Sequence, residues 1–411
     1  MRGLALISAI GCMVSVTATA PAAQELSSSQ VERGRYLTIA GDCEACHTDI
    51  ENDGLPFTGG RALGTPFGTI YSPNLTPDDE TGLGRWTREE FHDALNEGID
   101  DEGQHLYPAM PYPNYTLMSR EETDAIFAYL QSLEPVHAET PENDLPFPLN
   151  IRMSVGGWKL LFFEDEEFVP DPDRSEEWNR GRFLVDGPLH CGACHSGKNL
   201  LGASQDDEYL RGGLLENWFA PNIRAGAGGG IAHWDTDDIV EFLKYGRAEH
   251  TAPMQRMGEV VSISTQHLRE EDLRAVATYL KSLEDELREE EDTPDAVRLE
   301  TGAGLYFDNC AACHAADQSG VPYFFAPLSS SNKVHAEDPS TAIRIILGGA
   351  RAQPTDTIPS MLAMPPFSWK LSDEQIADLL TYLRGTGDRR AGPVSAAQVT
   401  EMREYLAEEE H

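Results

Sequence analysis

Cys43-Glu44-Ala45-Cys46-His47 decides how this chain is read, because the same pattern returns as Cys191-Gly192-Ala193-Cys194-His195 and as Cys310-Ala311-Ala312-Cys313-His314. Two thiols two residues apart can each add to one vinyl group of a single porphyrin. The histidine that follows then reaches the iron as proximal ligand. A lone Cys-x-x-Cys also fits a redox pair or half of a zinc site. Three copies, each with its histidine, point to three covalent c-type haems. They would be held by Cys43, Cys46, Cys191, Cys194, Cys310 and Cys313, with His47, His195 and His314 on the irons. The cysteine count agrees: six of the seven lie in these motifs, and the seventh, Cys12, lies near the N-terminus. A four-cysteine zinc site needs two pairs to meet, and three pairs leave one over.

Outward from the motifs the chain repeats. Before each lies a related segment: Glu32-Arg33-Gly34-Arg35-Tyr36-Leu37, Asn179-Arg180-Gly181-Arg182-Phe183-Leu184 and Thr301-Gly302-Ala303-Gly304-Leu305-Tyr306. After each comes a closing helix pattern: Asp124 to Leu133, Asp272 to Leu283 and Asp378 to Leu383. In these patterns Tyr129, Tyr279 and Tyr382 are equivalent. Acidic clusters precede the closing helices, where they suit the positive end of the helix dipole. Ser119 with Glu122, and Ser372 with Gln375, read as capping boxes. Trp86 to Asn96, Trp234 to Tyr245 and Ser340 to Leu347 read as further helices. The fold expected is mainly α: three tandem class I cytochrome c domains after a cleaved signal peptide. The boundaries expected are a signal peptide over 1–23, domain 1 over 24–136, a linker over 137–175 and domain 2 over 176–284. An acidic linker over 285–296, domain 3 over 297–386 and an acidic tail over 387–411 complete the chain. Domains this small have little core of their own, so the haem supplies apolar mass.

The sixth iron ligand is expected to be a methionine in the loop before each closing helix. Met110, in Tyr107-Pro108-Ala109-Met110-Pro111-Tyr112, and Met364, in Leu362-Ala363-Met364-Pro365-Pro366, are each followed by proline, which stiffens the loop. Met361 is a weaker rival to Met364. In the second unit Met254 and Met257 both fit. The spacing from His195 to Met257 nearly matches that from His47 to Met110 and favours Met257. Arg61, Tyr71, Asn74 and Trp86 in the first unit, and Trp218 and Asn222 in the second, are open to two readings: haem-propionate partners or loop packing.

Arg2, the short apolar run Leu4 to Val16 and the small residues that follow have the form of a secretory signal, which places the mature protein in the periplasm. A lipoprotein signal ending at Cys12 is the alternative. Trp158-Lys159-Leu160-Leu161-Phe162-Phe163 is the longest apolar stretch beyond the leader and is too short to span a bilayer. It reads as a core or contact segment. The 69 Asp and Glu against 31 Lys and Arg give a formal charge of −38, which excludes nucleic acid as a partner. The acid is spread over loops and helix faces rather than gathered in one patch, which favours adaptation to high salt over one docking face. No nucleotide loop, Ser-His-Asp set or zinc-protease motif is present, so no residues for substrate chemistry are found.

The chain resembles the triheme cytochrome c subunits of membrane-associated bacterial dehydrogenases, of the quinoprotein alcohol dehydrogenase and flavin-dependent gluconate, sorbitol or fructose dehydrogenase type. Thr65-Pro66-Phe67-Gly68-Thr69-Ile70-Tyr71-Ser72-Pro73-Asn74-Leu75-Thr76-Pro77-Asp78, Trp178 to Val185, Met257-Gly258-Glu259-Val260-Val261 and Phe367-Ser368-Trp369-Lys370 carry the resemblance. It implies axial methionines at Met110, Met257 and Met364. It also implies a catalytic partner holding pyrroloquinoline quinone (PQQ) or flavin (FAD), and electron delivery to ubiquinone or a terminal oxidase. The place implied is the outer side of the cytoplasmic membrane. The tail Glu401 to His411 would set Val399, Met402 and Leu406 on one helix face. Its acid would be repelled by anionic lipid, so membrane contact is expected to be indirect, through a partner. A free-standing electron shuttle is the alternative role. A haem enzyme such as a peroxidase needs an open iron position, and a methionine candidate in every unit argues against it.

Overall fold

The computed structural model describes residues 27–249, 251–286, 294–386 and 390–409. The expected signal peptide, with Cys12, lies outside the described residues, as does the middle of the acidic linker, 287–293. The first unit contains α1 (Ser28–Ala40), the hairpin β1 (Ala62–Thr65) and β2 (Gly68–Tyr71), α2 (Arg88–Asn96) and α3 (Arg120–Leu130). A bridging helix, α4 (Met153–Phe162), follows. The second unit repeats the first: α5 (Glu176–Asp186), the hairpin β3 (Gly212–Leu215) and β4 (Trp218–Pro221), α6 (Thr236–Tyr245) and α7 (Glu270–Ser282). The third holds α8 (Ala296–Asn309), α9 (Ser340–Gly348), the short strands β5 (Ala350–Arg351) and β6 (Ala363–Met364), α10 (Asp373–Gly385) and α11 (Ala396–Glu409).

Local chemistry sets the helix starts. Thr87 with Glu90, Ser119 with Glu122, Asp235 with Asp238 and Ser372 with Gln375 form capping boxes, each satisfying backbone N–H groups that a first turn leaves orphaned. The organising contact of each unit is a crossing of its first helix on its closing helix: α1 on α3, α5 on α7, and α8 on α10. At each crossing a glycine faces backbone. A Cβ at Gly34 would stand 1.8 Å from the Ala125 carbonyl oxygen, one at Gly181 1.9 Å from that of Ala275, and one at Gly302 2.2 Å from that of Asp378. All three glycines belong to the repeated opening segments, Gly34 and Gly181 as the third residue and Gly302 as the second. They are there because no side chain fits between the helices.

The core does not divide as the repeat does. One cluster of buried residues runs without a break through units one and two, from Leu37, Phe91 and Ile126 to Phe183, Leu273 and Leu280. A second, separate cluster serves the third unit, from Tyr306 and Ile343 to Leu380 and Leu383. That second cluster takes in Val399 and Met402 of α11, with Leu406 packed beside them. The segment expected as an acidic tail therefore lays its apolar face on its own unit. Arg403 Nε, 2.8 Å from Asp373, ties it down.

Candidate haem sites

Each Cys-x-x-Cys-His forms or borders a single helical turn just after the first helix of its unit. No disulfide joins the six described cysteines. Burial pushes the Cys43 and Cys191 thiols up to about 12 and the Cys310 thiol up to about 11.

The histidines are held alike. His47 Nδ1 lies 2.8 Å from the Pro73 carbonyl oxygen, His195 Nδ1 2.7 Å from that of Pro221, and His314 Nδ1 2.9 Å from that of Ala326. A carbonyl can only accept, so Nδ1 carries the proton and Nε2 keeps its lone pair for a metal. Burial lowers the pKa of all three imidazoles, and the bond to each carbonyl opposes it. The histidine and its carbonyl partner are 26 residues apart in units one and two, with the hairpin between them, and 12 apart in unit three, where no hairpin intervenes.

Two arginines missed or left open in the sequence test whether haem fits these sites. Arg61 is buried; it donates Nη1 to the Ala45 carbonyl oxygen inside the first attachment turn and Nη2 to Glu259 Oε2 at 2.8 Å. Its Nε is buried with no protein partner. Arg211 stands at the equivalent place, one residue before β3 as Arg61 is one before β1. It pairs through Nη2 with Asp285 at 3.0 Å and likewise has a buried, unpartnered Nε. A pair of orphaned cationic donors at equivalent places suits an acidic group carried by a ligand, and the haem propionates are such groups. Only the equivalence of the two hairpins could have revealed Arg211 in the sequence. Asn74 and Asn222 serve loop packing. Asn74 donates to Thr81 and the Val136 carbonyl and accepts from Thr76 N; Asn222 donates to Asp285 and accepts from Arg224 N. The ring of Trp218 lies under Arg344 of the third unit at 4.5 Å. Trp86 packs against the shared core, and the Tyr71 backbone N–H is taken by Asn143 at 2.8 Å.

Met110 packs half-buried against the shared core, and Met364, on β6, against the core of the third unit. Met257 lies in a one-turn helix, Gln255–Glu259, while Met254 at its N-cap makes a backbone bridge to Ala352 of the third unit. Glu259, two residues after Met257, receives both Arg61 and Arg256. The second methionine loop is thereby joined to the first attachment turn. The turns also meet directly. Tyr115 donates to the Gly41 carbonyl oxygen at 2.7 Å and sets its ring 5.7 Å from that of His190, the residue before Cys191. A third junction lies at Asp272, which accepts from Tyr36 of unit one and from Arg180 Nε at 2.6 Å.

Comparison with known proteins agrees with this geometry. The family described as cytochrome c matches residues 31–134, 180–284 and 299–387. The chain is 38% identical to the cytochrome c subunit of a quinone-dependent alcohol dehydrogenase from Gluconobacter oxydans, over 98% of this chain and 88% of that one. It is 37% identical to the gluconate 2-dehydrogenase cytochrome c subunit of Pantoea cypripedii, over 91% and 89%. It is 34% identical to the fructose dehydrogenase cytochrome subunit of Gluconobacter japonicus, over 96% and 86%. With three matched domains, each built on a Cys-x-x-Cys-His turn that binds haem covalently, this chain belongs to the cytochrome c family.

Proposed function

We propose that the chain is the electron-transfer subunit of a dehydrogenase complex. It takes electrons from a PQQ- or FAD-dependent catalytic subunit acting on an alcohol, sugar or aldonic acid, and passes them to ubiquinone or a terminal oxidase. It does so at the outer side of the cytoplasmic membrane. One observation carries the reading most directly: three attachment turns whose histidines are all fixed by a carbonyl with Nε2 left free. Bound haem supplies reversible one-electron iron chemistry. The chain's own residues do the rest. Cys43, Cys46, Cys191, Cys194, Cys310 and Cys313 hold the group covalently. His47, His195 and His314 would present Nε2 to the iron, and Met110, Met257 and Met364 would supply the thioether ligands. His/Met ligation raises the potential, which suits acceptance from a reduced quinone or flavin. Arg61 and Arg211 would each offer an unpartnered Nε–H to a haem propionate at the first two sites.

Relatives named as cytochrome subunits of alcohol, gluconate and fructose dehydrogenases support the complex over a free shuttle. Among the described residues no helix is long and apolar enough to cross a membrane. The test is reconstitution with the dehydrogenase. The chain alone should oxidise no alcohol, sugar or aldonic acid; mixed with the catalytic subunit and its substrate it should be reduced, and should then reduce a ubiquinone analogue. Equal quinone reduction by the catalytic subunit without this chain would overturn the assignment.

A further inference from the structure

Helix α4 is built inside out. The side turned to the protein carries its charge: Arg152, at the N-cap, bonds Asp100 at 2.8 Å, Lys159 donates to the Glu97 carbonyl, Val155 is buried, and a Cβ at Gly156 would meet the His105 ring at 2.7 Å. The opposite stripe, Met153, Gly157, Leu160 and Leu161, follows the i, i+4, i+7, i+8 spacing of one helix face. That face looks outward: Met153 is 78% exposed, Leu160 87% and Leu161 69%, and nothing lies within 4 Å of a Cβ placed at Gly157. Trp158 Nε1 donates to the Leu201 carbonyl oxygen at 2.9 Å, which brings the tip of a second loop alongside, with Leu200 95% exposed. An amphipathic helix that turns its apolar side out has an apolar surface as its solvent.

Charge identifies that surface. Asp and Glu make up 69 of 411 residues, yet none occurs from Leu145 to Phe163 or from Gly187 to Gln205. Two of the six lysines, Lys159 and Lys198, fall in these stretches. Acid is missing where a bilayer would repel it, and the apolar side chains are projecting tips on a helix and a loop rather than the walls of a groove. A short in-plane helix with Trp, Phe and Leu at its surface is the arrangement that seats a protein in the interfacial layer of a lipid bilayer. From this arrangement we infer that α4 and the Leu200–Leu201 loop insert directly into the membrane surface. The inference rests on the peripheral location proposed above and replaces the expectation of indirect contact. It also orients the molecule. Tyr112, two residues after Met110, lies under Lys159 at 5.6 Å and against Phe163 at 5.2 Å, so the methionine loop of the first unit is the part held next to lipid.

Flotation of the haem-loaded full chain with vesicles tests this. The wild type should float with phosphatidylcholine vesicles and do so less well when phosphatidylglycerol is added, since the net charge opposes anionic lipid. The double substitution L160D/L161D, and separately Leu200→Asp, should weaken flotation by about tenfold or more. Both variants should keep three haems and wild-type reduction by the dehydrogenase in detergent, because these side chains make no buried contacts. A wild type that stays with neither vesicle overturns the inference, as does a double variant that floats equally well. Loss of dehydrogenase-dependent reduction in L160D/L161D would assign the face to the catalytic subunit instead, and a dimer of the wild type that L160D/L161D abolishes would assign it to a second copy. Failure of the electron-transfer reading would show separately, as a wild type not reduced by the dehydrogenase in detergent.

Discussion

At the scale of single residues, two positions carry sharp expectations. Met257 and Met254 compete for the second iron, and spectroscopy separates them. Met257→Ala should remove about a third of the near-infrared sulfur-to-iron band of the oxidised protein, while Met254→Ala should leave it whole; the opposite result would move the ligand. Asp272 is the buried anion between units one and two. Burial raises its pKa, but hydrogen bonds from Arg180, Tyr36 and Arg269 outweigh that and hold it at about 2. A carboxylate depressed from an ordinary value near 3.9 stabilises the fold fully above about pH 4, and the contribution is lost as pH falls through about 2. Asp272→Asn should cost about 1–3 kcal/mol at neutral pH, because the charge-assisted bonds to the part-exposed Arg180 and Arg269 are weakened at a buried acceptor. Its melting temperature should decline less than that of the wild type over that pH window, the other depressed carboxylates such as Asp78 and Asp373 still contributing. Of the polar groups at the sites, the three histidines were legible, since their motif is contiguous. Arg211 was not, because its role depends on a hairpin whose repeat is structural rather than literal.

At the scale of helices, sequence and structure agree where the deciding information is local. The capping boxes at Ser119 and Ser372 were readable as short-range patterns, and they mark the helix starts found. The glycines of the opening segments were visible as a repeat, but their reason was not, because it lies a whole unit away on the closing helix. Gly181→Ala should force α5 off α7, since its Cβ would sit 1.9 Å from a carbonyl oxygen. Overpacking of this kind costs about 1–3 kcal/mol, here against rigid backbone. Haem content should fall in that variant, whereas Gly304→Ala, at a position with nothing within 4 Å, should keep all three haems. Equal haem content in both would contradict the crossing as described. Helix α4 shows the limit of pattern reading: an apolar run of its length looks the same whether it faces a core or a bilayer.

At the scale of the whole molecule, three repeats make two cooperative bodies. Units one and two share one buried cluster, and unit three keeps its own. The repeat in the sequence could not reveal this, because equivalent faces look alike whether they pack within a unit or across a junction. Calorimetry of the haem-loaded protein should resolve two transitions, the larger from the joined pair. Three transitions of similar size would mean that the shared cluster does not couple the first two units. Contacts across the second junction, such as the Phe219 backbone N–H to Thr341 Oγ1 at 2.8 Å and Arg344 over the Trp218 ring, lie outside both apolar clusters.

That undivided cluster also constrains how the protein matures. Cys43 and Cys191 both lie packed against it, while Cys310 lies against the other. A porphyrin must reach its thiols before the chain closes over them. The shared cluster predicts that the first two sites are loaded as a pair, and that a chain receiving only one of the two remains open to proteolysis. The third site follows its own schedule, and half-made protein should therefore accumulate with one haem or with two, the single haem being the one on Cys310 and Cys313.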